Sequence, residues 1–85
     1  MKYTYYSKVQ LEEHLYYAEE LYGFFAPMLP KGTMPKDIHP IIRRYIKDNK
    51  VEVEPLYYQT KSGLKRVYSS ELALSAIEYH VSRLA

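Results

Sequence analysis

Between Val51 and Tyr68 the side chains alternate with a period of two around a break at Lys61-Ser62-Gly63. On both sides of that stretch the apolar residues return at intervals of three and four. The first period is that of a strand and the second that of a helix. The chain is therefore constrained to a mainly helical α+β fold, three helices with one β-hairpin held like a wing among them. Val51 and Val53 alternate with Glu52 and Glu54, and after Pro55, Leu56 and Tyr58 alternate with Tyr57 and Gln59. Pro55 has no N–H to give to a ladder, so it marks an edge or a bulge. Gly63 supplies the positive φ that the turn needs, and residues 64–68 return as the second strand.

The helix before the hairpin starts at Asp37, a candidate N-cap, and tolerates Pro40 because that residue falls in its first turn. Ile38, Ile41, Ile42, Tyr45 and Ile46 make its inward face. Lys36, Arg43, Arg44, Lys47 and Lys50 lie mostly outside it, with Arg43, Lys47 and Lys50 on one stripe. Asn49 is expected as a left-handed C-cap. After the hairpin, Ser69 or Ser70 caps the last helix, and Glu71 suits its first turn. Leu74, Ile77, Val81 and Leu84 are expected to face the core. Leu72, Ala76 and Tyr79 form a second row, a cover for the hairpin or a partner surface.

At the start, residues 2–6 read as a short strand, and Ser7 to Gln10 fit a capping box with Tyr6 and Leu11 as its hydrophobic staple. A long first helix follows. Leu11, Leu15, Ala18, Tyr22 and Phe25 make one apolar row, and His14, Tyr17, Leu21 and Phe24 a second. Glu12, Glu13, Glu19 and Glu20 form an acidic outer face. Gly23 weakens this helix, and Pro27 and Pro30 end it. Residues 26–35 are a loop under which Met28, Leu29 and Met34 are expected to tuck. The heptad-like spacing of the first helix also fits a homodimer through the first or last helix.

Eighty-five residues allow one domain, residues 1–85. With 47% apolar and 26% charged residues the composition excludes a disordered chain. Eleven tyrosines give large contact areas with polar tips. There is no cysteine, hence no disulfide framework and no thiolate site. No apolar run follows Met1, and none approaches the roughly 20 residues that span a bilayer, so the expectation is a cytoplasmic protein away from membranes. The formal net charge of +2 is small, but it is unevenly placed. Nine of the twelve Lys and Arg lie between Lys31 and Arg66 against four acids, Asp37, Asp48, Glu52 and Glu54. A basic segment between acidic ones gives a small domain a preferred face for a polyanion.

Ile42-Arg43-Arg44-Tyr45, a few residues before the strand at Val51, resembles the end of the second helix in MerR-type winged helix-turn-helix proteins and phage excisionases. Gly63-Leu64-Lys65-Arg66-Val67-Tyr68-Ser69 resembles the far side of the wing in that family, with Asn49 in the place of its Gly at the helix end. The match covers residues 38–72. The long first helix, the loop of about ten residues after it, Pro55 in the strand and a last helix one residue out of step depart from the pattern. The resemblance implies a basic helix in the major groove and a wing against the phosphate backbone.

The site expected on these grounds comprises Lys36, Arg43, Arg44, Lys47, Lys50, Lys61, Lys65, Arg66 and Tyr58. Arg43, Arg44 and Lys47 are placed to enter or border the major groove, where Arg is the commonest reader of guanine. Lys61, Lys65 and Arg66 are placed to hold the backbone, and the Tyr57 and Tyr58 hydroxyls to add phosphate contacts. The expected function is non-catalytic binding of double-stranded DNA, as a small transcription regulator or recombination accessory factor. His14, His39 and His80 lack metal-site spacing, and no phosphate loop or activated nucleophile is present, so neither enzyme, cofactor nor metal is expected. The other class of function is a protein-binding module, a phage-type inhibitor that grips a host protein through its tyrosines, the acidic helix face and the Leu72, Ala76, Tyr79 row. A polyanion interface loses affinity steeply with salt, and a tyrosine-centred one does not.

Overall fold

The computed structural model describes residues 15–53 and 55–84. The expected strand at residues 2–6, the Ser7 capping box, the staple and Glu12, Glu13 and His14 lie outside the described residues. The elements run β1 (Leu15–Tyr16), α1 (Ala18–Phe25), α2 (Ile38–Asn49), β2 (Leu56–Thr60), β3 (Gly63–Ser69) and α3 (Ser70–Leu84). Among the described residues, three α-helices and a three-stranded antiparallel sheet in the order β1-β3-β2 make a mainly helical α+β fold with a wing-like hairpin.

The hairpin forms as its turn chemistry dictates. Thr60 pairs with Gly63 across Lys61 and Ser62, and Gly63 adopts φ +118°. The Thr60 hydroxyl donates to the Gly63 carbonyl at 2.8 Å and accepts the Ser62 N–H at 3.2 Å, so the turn satisfies its own polar groups. The strand begins only at Leu56, after Pro55, because Pro withholds the N–H that a ladder requires. Val51 and Val53, expected in that strand, precede it as irregular chain.

The first helix differs from expectation. Leu15 and Tyr16 are extended and pair with Ser69 and Tyr68 of β3, and the helix starts at Ala18. Helical spacing at Leu15 was overridden by tertiary pairing. Leu15, 3% exposed, closes a small second core with Val67, Leu56, Tyr58 and Tyr17 that a helical Leu15 would leave open. Tyr17 then turns the chain. Its carbonyl accepts the Leu21 N–H, and its own N–H donates to Glu20 Oε1 at 3.0 Å.

The main core joins Ala18 and Leu21 of α1, Ile38, Ile41 and Ile42 of α2, Tyr68 of β3, and Ala73, Ala76 and Ile77 of α3. Each of the three isoleucines is under a tenth exposed, as α2's spacing requires. On α3 the buried stripe is rotated from expectation. Ala73, Ala76 and Ile77 are buried, while Leu74 and Leu84 are exposed, because small residues let α3 lie close to the bulky α2 face. With Ala76 buried, the Leu72, Ala76, Tyr79 row is not an open surface. Leu29 packs on the core, but Met28 and Met34 are exposed rather than tucked under the loop.

Of the expected caps, Ser69 caps as expected, Asp37 holds the N-cap position without capping through its side chain, and the C-cap falls one residue later. Asp37 precedes α2 but its carboxylate accepts the Met34 N–H at 2.8 Å, which closes the one-turn helix Pro35–Asp37 instead. The left-handed residue at the end of α2 is Lys50, φ 51°, while the Asn49 amide donates to the Tyr45 carbonyl. Ser69 caps α3, its hydroxyl accepting the Leu72 N–H at 3.1 Å.

Candidate nucleic-acid interface

Each residue of a helix turns about 100°, so two flanks of α2 carry different charge. His39, Arg43 and Lys47 step by four along one flank, and Arg44 and Asp48 along the other. Arg43 and Lys47 are exposed and enter no ion pair among the described residues.

The hairpin splits its cations in the same way. Lys65 and Arg66 are neighbours on β3 and project to opposite faces of the sheet. Arg66 shares its face with Tyr68 and with Tyr57, its cross-strand partner. Its guanidinium carbon stands 4.7 Å from the Tyr68 ring centre and 5.7 Å from that of Tyr57. Two aromatic faces, and no carboxylate among the described residues, hold this charge, and its Nε meets no hydrogen-bond acceptor.

Where α2 meets β3, His39 Nδ1 lies 2.7 Å from the Tyr68 hydroxyl. Partial burial and the Arg43 guanidinium hold the His39 imidazole below its ordinary value, with Arg66 and Lys65 acting the same way and Glu19 opposing them. Burial pushes the Tyr68 phenol up, against the fields of Arg66 and Arg43. Both arginines therefore act on the same pair of groups. The fold brings a cation of α2 and a cation of β3 to one place.

Lys65 lies on the other face. Its Nζ is 3.4 Å from Glu19 Oε1 and 4.7 Å above the Tyr17 ring. The Glu19 carboxyl is held below its usual range, chiefly by a backbone N–H and then by Lys65. Tyr58 belongs to this face too, edge-on to Tyr17 at 6.0 Å in the small core, so Tyr57 is the strand tyrosine beside the Arg66 guanidinium.

Arg44 is drawn away from the basic flank. Asp48 Oδ2 accepts from the Tyr79 hydroxyl at 2.7 Å and from Arg83 Nη1 at 3.0 Å, with Arg44 Nε at 3.8 Å. The hydrogen bond to Asp48 pushes the Tyr79 phenol above its ordinary value. Lys36 sits in the one-turn helix before α2, Lys50 at its left-handed end and Lys61 at the hairpin tip, all exposed. The expected site is thus three clusters: Arg43 and Arg66 about His39, with Lys47 a further turn along the same flank; Lys65 with Glu19; and Arg44 with Asp48 and Arg83. Arg83 and Glu19 were missed because their partners are distant in sequence. His39 was missed as a member of the site although its signal was legible, four residues before Arg43 on one helix flank.

Among the described residues no group of His, Asp and Glu could hold a metal ion, and no helix is long and apolar enough to cross a membrane. Comparison with known proteins finds no matching family, no matching curated protein and no matching solved structure.

Proposed function

We propose that the protein binds double-stranded DNA without catalysis, with the Arg43–Lys47 flank of α2 toward the major groove and the hairpin toward the sugar–phosphate backbone. One observation carries this: Arg43 and Lys47 of α2 and Arg66 of β3 enter no ion pair among the described residues, and Arg66 lies over the ring of Tyr68, whose hydroxyl meets His39 one turn before Arg43. A helix fits the major groove, where Arg pairs with guanine, and a second basic element reaches the flanking phosphates. Lys61 at the tip extends the hairpin's reach. The brevity of α1, eight residues, supports the resemblance to MerR-type winged helix-turn-helix proteins and excisionases, whose corresponding helix is short. A small regulator or recombination accessory role follows from that resemblance.

The test is fluorescence anisotropy with a random duplex at two ionic strengths. Four phosphate contacts, by Arg43, Lys47, Lys61 and Arg66, give a salt slope near −3.6, or about a hundredfold loss of affinity between 50 and 200 mM salt. Binding that is absent, or indifferent to salt, overturns the proposal. A protein partner is the second reading, favoured by three exposed apolar side chains at the end of α1 and the loop after it: Phe24 at 56%, Met34 at 53% and Met28 at 41%. Salt-insensitive capture of a protein, abolished by Phe24→Asp, is its signature.

A further inference from the structure

We propose that His39, held by Tyr68 and flanked by Arg43 and Arg66, seats a single phosphate oxyanion. This rests on the DNA-binding reading for its source, a phosphodiester of the duplex backbone. The Tyr68 hydroxyl is the group that fixes the geometry. Tyr68 is 3% exposed, and among the described residues its hydroxyl has His39 Nδ1 at 2.7 Å as its hydrogen-bond partner. A buried phenol proton without an acceptor is costly, so Tyr68 donates to Nδ1. The neutral imidazole then carries its own proton on Nε2, the ring nitrogen that Tyr68 leaves unused. That N–H is a fixed donor. Arg43 stands one turn along on the same helix flank, and Arg66 is clamped over the ring of the same tyrosine at 4.7 Å. One neutral donor between two guanidiniums matches an oxyanion that needs several hydrogen bonds and charge compensation.

The seat is coupled to protons. Tyr68 touches His39, and the charges whose fields reach it are Arg43 on its own helix, Arg66 and Lys65 on β3, and Glu19 on α1. Burial first, and then three cations against one acid, hold the imidazole below its ordinary value in the free protein. A bound phosphate offsets those cations and favours the imidazolium, so binding raises the proton affinity of His39. By reciprocity, acidification tightens binding.

The test uses the whole chain with ¹³C-labelled histidine, the His39 signal being assigned through its backbone. Its titration is followed alone, with a duplex of about 20 base pairs, and with inorganic phosphate. The expected result is a His39 midpoint raised by about one pH unit in the duplex, with His80 unmoved, and affinity up to about tenfold tighter below the free midpoint than at pH 8. Tyr68→Phe keeps the buried ring and every charge. It is expected to weaken duplex binding severalfold with the salt slope unchanged. If the duplex binds and the His39 midpoint stays put, the seat is overturned and DNA binding stands. If inorganic phosphate moves His39 and the duplex does not bind, the seat stands for a free phosphate and the DNA reading falls. If neither ligand moves His39 and the duplex does not bind, both fall.

Discussion

Arg43 and Arg44 are adjacent in the chain and have opposite fates. Arg43 lies on the flank that meets the hairpin, exposed and in no ion pair among the described residues, and its field falls on His39 and Tyr68. Arg44, a seventh of a helical heptad further on, faces the end of α3, where Asp48 holds it with Arg83. The difference is made by about 100° of helix rotation and by what packs on each side. Lys65 and Arg66 repeat the lesson on a strand, where the rotation is about 180°. Counting cations along the chain therefore overstates the charge open to a polyanion. What counts is which cations the fold leaves without a carboxylate.

The largest expected effect separates the two flanks directly. Replacing Arg43, Lys47 and Arg66 together by Ala should weaken duplex binding by about a hundredfold or more at moderate salt and flatten the salt slope by roughly three. Replacing Arg44 and Arg83 should change it by less than about threefold, since neither is placed to lose a phosphate contact. Equal losses from both variants, measured by anisotropy, break the comparison. Gly63→Ala comes next. A side chain at φ +118° is strained, so the fold should lose about 1 kcal/mol in urea denaturation, and duplex binding should weaken with the hairpin that carries Arg66. Asp48→Ala sharpens the contrast from the other side. It removes the carboxylate that holds Arg44 and Arg83, and duplex affinity should rise by about threefold as net charge grows.

The smallest effect is a pH dependence. His39 titrates below its ordinary value in the folded protein, because of burial first and Arg43 second. As pH falls through about 6.5 the unfolded chain takes up a proton that the folded chain refuses, so stability should decline on acidification from there. Glu19 is also shifted down, in its own lower pH window: the stability it contributes is present above the ordinary carboxylate range and lost only as pH falls below it. Urea midpoints between about pH 8 and 5.5, flatter in His39→Gln than in the parent chain, check the first effect apart from the second. A parent profile as flat as the variant's would show that burial does not hold His39 neutral.

Much of the fold was legible because its signals are local. The Gly63 turn, the inward isoleucines of α2 and the Ser69 cap each depend on residues within a few positions of one another, and each is found as expected. Leu15 was misplaced because its spacing fits a helix equally well, and only the proximity of β3 makes extension the better way to bury it. Leu74 and Leu84 were turned inward on their three-and-four spacing, whereas the α2–α3 crossing favours the smaller Ala73 and Ala76. For the candidate site, the basic residues could be named from sequence, but which of them the fold groups together could not. Arg66 finds its rings across a hairpin and beside it, Lys65 finds Glu19 from another element, and Asp48 meets Arg83 thirty-five positions away.

The amino-acid order alone determined that a basic helix precedes a basic hairpin, since period, turn chemistry and charge are written in neighbouring residues. The tertiary structure decided which of those cations stay open. Neutralisation needs a carboxylate within a few ångströms, and only the packing of α1 on β3 and of α3 on α2 brings Glu19 and Arg83 to their partners.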